Sequence, residues 1–85
     1  MKLNVYTIFD KIDGCASTLQ LHRSDDRVVR EFMSSVRSRN KELESKGFPP
    51  VRFDDFELRK VATFDDETCV VEPILPPLIV PFVDN

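Results

Sequence analysis

Arg27, Arg30, Ser34, Arg37 and Lys41 recur at intervals of three, four, three and four residues. On an α-helix that spacing lays them along one edge. Guanidinium groups grip phosphate oxygens bidentately, so such an edge is a candidate track for a DNA backbone. Arg23 and Arg39 are placed to flank it. The alternative is a solvated face whose cations pair with Asp26, Glu31 or acids of a sheet. Tyr6 and Arg59 are a second candidate pair. With Ile8 and Val61 they are expected on the outward face of a sheet, where a ring and a cation form a stacking platform for single-stranded bases. The alternative is that a second subunit or the chain's own tail buries that face.

The other reactive groups point to structure. Asp54-Asp55 and Asp65-Asp66-Glu67 flank strand patterns, where Asp favours turns by bonding nearby backbone. The one histidine, His22, lacks the partner spacing of a metal site and is read as a capping or surface residue. Cys15 falls in an expected turn and Cys69 in an expected strand, and two cysteines make no disulfide framework. No Ser-His-Asp, Cys-His or phosphate-loop pattern is present. No catalytic residue, metal or cofactor is therefore expected, and the protein is not read as an enzyme.

Charge narrows the partners. The 85 residues carry a net charge of −3 with a pI near 5.0, which argues against coating nucleic acid by charge alone. The charge is uneven. Between residues 22 and 46, seven cations face five anions, whereas residues 53–85 hold two cations and eight anions. That asymmetry can give an acidic protein one basic face. A chain of this length makes one small core, for which oligomerisation is a common supplement. No apolar run is long enough for a bilayer and the first residues lack a signal-peptide core, so a cytosolic location is expected.

The elements that must position these groups follow from periodicity. Residues 2–10 alternate, with Leu3, Val5, Thr7 and Phe9 on one face and Asn4, Tyr6 and Ile8 on the other. Asp13-Gly14 is a hairpin turn signal, and residues 17–22 read as the return strand. Ser24 is a helix N-cap with Asp25 and Asp26 in the first turn. Val28, Val29, Phe32, Met33 and Val36 give the helix an apolar stripe, and Asn40 is expected to end it after Arg39. Pro49-Pro50 closes a loop. Residues 56–64 alternate again, with Phe56, Leu58, Ala62 and Phe64 assigned to one face and Glu57, Arg59, Val61 and Thr63 to the other. Residues 68–72 return as a strand that Pro73 is expected to end.

The resulting order is β-β-α-β-β, an α+β domain with one helix on an antiparallel sheet of about four strands. It spans residues 1–72, with a Pro-rich apolar arm at residues 73–85. Ile74, Leu75, Leu78, Ile79, Val80 and Phe82 in that arm are candidates for an oligomer interface.

Val5-Tyr6-Thr7-Ile8-Phe9-Asp10, Val29-Arg30-Glu31-Phe32 and residues 56–68 carry a family resemblance. The chain resembles the small non-structural protein of gokushovirus-type microviruses, bacteriophages with small circular single-stranded DNA genomes. The resemblance covers about residues 2–72 and is strongest in the closing hairpin. It implies a non-structural protein associated with DNA binding, with an accessory role in single-strand synthesis or packaging in the bacterial host cytoplasm, and brings no catalytic residues. Ala62 stands where such proteins often have glycine, and the connection from Ser38 to Pro50 is longer and more charged than their pattern. The residues therefore support two functional expectations. One is weak binding of single-stranded DNA by a homodimer. The other is a protein-interaction module that meets a viral replication or capsid protein, or a host protein, through the arm.

Overall fold

The computed structural model describes residues 1–82. Strand β1 spans Lys2–Asp10, β2 Cys15–Ala16, β3 Gln20–His22, α1 Asp25–Ser45, β4 Phe56–Asp65 and β5 Val70–Val80. A single 3-10 turn, Phe53–Asp55, leads into β4. All pairings are antiparallel, in the order β2-β1-β4-β5, with β3 also on β1. The fold is α+β, one helix with a curled five-stranded antiparallel sheet. The fifth strand arises because the expected return strand divides into β2 and β3. Between them Ser17 bonds to β1 through its own N–H and side chain, with Ser17 N to Ile8 O at 2.8 Å and Ile8 N to Ser17 Oγ at 3.1 Å.

The core lies between α1 and one face of the sheet. Tyr6, Ile8, Leu58 and Val80 pack against Val28, Val29 and Met33, with Phe32, Phe53, Phe56 and Phe82 around them. The helix therefore covers the Tyr6–Ile8 face, which was expected to be outward. The parity of β1 holds, but the covered side is reversed. Val5 and Thr7, on the other side, are also buried, and Thr7 Oγ1 donates to Ser17 O at 2.9 Å.

A bulge in β4 corrects the single apolar face expected there. Tyr6 pairs with Lys60 while Val5 pairs with Ala62, so Val61 is skipped. Each skipped residue inverts the pleat beyond it. Phe56 and Leu58 thus share the helix side, whereas Ala62 and Phe64 share the opposite side with Val5 and Leu3.

Helix α1 is capped by Ser24, whose side chain accepts from Arg27 N at 3.4 Å. It runs six residues past the expected end at Arg39. Asn40 does not terminate it. Its side chain reaches across to Val51 instead, accepting from Val51 N at 2.7 Å and donating to Val51 O at 3.2 Å. The turn out of the helix comes at Gly47, whose φ of +77° a side chain would resist.

The closing strand also departs from expectation. Cys69 occupies a left-handed turn position at φ 61°, and β5 starts at Val70. Pro73 pairs with Ala62 instead of ending the strand. Residues 74–77 then swing out opposite Val61, and the ladder resumes at Leu78, Ile79 and Val80. β5 is an edge strand, where proline's missing N–H is tolerated. Residues 83–85 of the expected arm lie outside the described residues. Among those described, no helix is long and apolar enough to cross a membrane.

Candidate nucleic-acid interface

Packing fixes which side of α1 faces out. At 100° per residue, the centre of Arg27, Arg30, Ser34, Arg37 and Lys41 lies about 150° round the helix from the centre of the apolar stripe. All five residues are exposed, and they form one ridge. Arg27 Nε lies 3.5 Å from Glu31 Oε1, an exposed i,i+4 pair that contributes little. Arg30 and Lys41 have no ion pair with a described residue. Glu31 and Glu42 border the ridge on one side and Asp26 and Glu44 on the other, so the positive strip is narrow.

The remaining candidates do not join it. Arg23 is exposed in the β3–α1 connection and lines a hollow with Arg27, His22, Glu31, Leu3, Leu21 and Asp66, where acids dilute the cations. Arg39 projects from another flank of the helix, towards Phe32, Val51 and Phe56. Arg59 lies on the sheet face away from α1. Its guanidinium carbon sits 3.9 Å from the centre of the Phe9 ring and its Nη2 lies 2.7 Å from Glu57 Oε1, so its charge is already engaged.

Tyr6 is not a stacking residue. It is 0% exposed beneath α1, so neither ring face is open to a base. Its hydroxyl donates to Asp25 Oδ1, and Lys60 Nζ stands 3.0 Å from the same carboxylate oxygen. Burial, then the bond to Asp25, pushes the Tyr6 hydroxyl above its ordinary pKa. Burial also pulls the Asp25 carboxyl upward, but the bonds from Tyr6 and Lys60 and the lysine's charge outweigh it and hold it below the ordinary value. The three residues tie the first turn of α1 to β1 and β4. Sequence reading missed this unit because Lys60 breaks the apolar alternation of β4; a lone cation on a core-facing position was the available signal.

Other charged and sulfur groups have local roles. Half-buried His22 has its Nε2 3.2 Å from Gln20 Oε1 and 3.7 Å from Glu31 Oε2. Asp10 and Asp65 bond turn amides, Asp10 to Ile12 and Asp13 and Asp65 to Glu67. Both cysteines are free and exposed. Cys15 pairs with Asp10 and the Cys69 turn follows Asp65, which pairs with Lys2, so they lie at opposite ends of β1, too far for a bridge. No group of three His, Cys, Asp or Glu side chains among the described residues could hold a metal.

The proposed oligomer residues divide in two. Val80 is buried in the core and Phe82 stacks on Phe32 with centroids 5.0 Å apart. Ile74 is half-buried, while Leu75, Leu78 and Ile79 are exposed, Leu75 at 82%. The opposite sheet face carries a further apolar hollow lined by Val5, Leu19, Leu21, Phe64 and Val71.

No curated protein and no solved structure matches the chain. A protein-family model does, that of the Phage ORF5 protein, over residues 3–85. That match takes in nearly the whole fold, from β1 through the helix and its ridge to the closing strand, and the chain belongs to the phage ORF5 protein family.

Proposed function

We propose that this phage protein is a non-catalytic accessory factor of a gokushovirus-type microvirus that binds single-stranded DNA as a homodimer during genome replication or packaging in the host cytoplasm. The ridge of Arg27, Arg30, Arg37 and Lys41 carries this reading. It stands on the solvent side of α1, where no cation is needed to fold the domain. An acidic body with one basic ridge keeps the contact weak and directs the strand to a single face. Arg30→Gln/Arg37→Gln tests it by fluorescence anisotropy of a labelled oligonucleotide. Single-strand binding falls in log–log salt slope by about 0.7 per lost phosphate contact, or about 1.4 in total. A double variant that binds like the parent protein contradicts the ridge.

The exposed Leu75, Leu78 and Ile79 favour a second reading, a protein-interaction module working through β5 without DNA contact. Substituting the three by serine separates the two. Loss of a viral or host partner with DNA binding retained supports it, and loss of DNA binding at unchanged assembly argues against it.

A further inference from the structure

The tip beyond α1 holds an aromatic ring in water. Phe48 is 59% exposed and has no ring or cation partner among the described residues, unlike Phe32, Phe53, Phe56 and Phe82, which pack on one another. The backbone around it is fixed from both sides. Lys46 N and Phe48 N donate to Leu43 O at 3.1 and 2.9 Å, and Gly47 N donates to Glu44 O at 3.1 Å. With Gly47 left-handed, this is a helix closure of the Schellman kind. Pro49 and Pro50 then restrict the chain, and Asn40 clamps Val51 through both its N–H and its carbonyl.

The tip meets the end of the basic ridge. Lys41 precedes Leu43 by two residues, about 3 Å along the axis, and Phe48 N is bonded to the carbonyl of Leu43. Lys46 and Arg52, on either side of Phe48 in sequence, are exposed. Their pairs with Glu42 at 3.3 Å and Asp54 at 3.5 Å are surface pairs that a phosphate can replace. Proteins that hold single strands combine such cations with an accessible ring on which any base can stack.

We infer that Phe48 is the base-stacking contact of the ridge, taking an unpaired base of a single strand whose phosphates follow Arg30, Arg37 and Lys41. This rests on the DNA-binding reading above and supplies the aromatic component that buried Tyr6 does not. The test is anisotropy of a labelled oligothymidylate at low salt with the full chain and its Phe48→Ala and Phe48→Trp variants. Phe48→Ala weakens binding by about 5- to 150-fold and leaves the salt slope unchanged, because the ring bears no charge. Phe48→Trp keeps the affinity, and its indole, the only one in a chain without tryptophan, is quenched as the strand binds. If the parent protein binds and Phe48→Ala binds equally well, or the indole is not quenched, Phe48 is not the contact and the ridge stands alone. If the parent protein does not bind, both claims fall.

Discussion

Asp25 and Lys60 decide what Tyr6 does. Residues of this kind are read from sequence as candidates for chemistry, but here a phenol, a carboxylate and an ammonium satisfy one another where the helix enters the core. Period-two alternation correctly placed Tyr6 with Ile8 and apart from Val5 and Thr7. It could not say which side the helix would cover, since both sides of β1 are apolar and both are buried. The pH dependence follows from the two shifts. The Asp25 carboxyl is lowered from 3.8, so its contribution is present above about pH 4 and lost as pH falls through the lower folded value. The Tyr6 hydroxyl is raised from 10.0, so its contribution is present below about pH 10 and lost as pH rises through the higher folded value. Tyr6→Phe is expected to cost about 1–2 kcal/mol at neutral pH and to reduce the alkaline loss, as read by urea denaturation at pH 7 and above 10. An unchanged midpoint at pH 7 would mean that the hydroxyl does not tie the helix down.

The helix was legible as an element because its signals agree: Ser24, the acidic first turn, and Val28, Val29, Phe32, Met33 and Val36. Its end was not. Asn40 is a common terminating residue, and only the fold shows its amide spent on Val51 eleven positions later. Bulges are equally invisible in a single sequence, because Val61 is a strand-former whether it is paired or skipped. Two substitutions test this account. Asn40→Ala breaks both bonds to Val51 and is expected to destabilise by about 1–2 kcal/mol, with faster amide exchange at Val51. Met33→Ala removes a buried side chain from between helix and sheet and is expected to cost about 2–5 kcal/mol. A loss below about 1 kcal/mol, measured by denaturant titration, would mean that the helix packs less tightly than its contacts imply.

Over the whole molecule, charge and apolar surface are segregated. The cations gather on the outside of α1, the acids gather towards the closing hairpin, and Val70, Val71, Leu75, Leu78 and Ile79 are exposed along β5. Composition revealed the segregation but not its geometry; Arg39 and Arg59 belong to the same list of cations and point elsewhere. If β5 joins two copies, Leu78→Ser/Ile79→Ser shifts the protein from dimer to monomer in light scattering while circular dichroism is retained. A parent protein that is monomeric at high concentration removes that role. The central claim is that the ridge grips a single strand, and its most direct test is the anisotropy of a labelled single strand titrated with the parent protein across a salt series, with duplex as control. Four phosphate contacts predict a log–log slope near −3 and a preference for the single strand. No binding at low salt, or binding indifferent to salt, would contradict it.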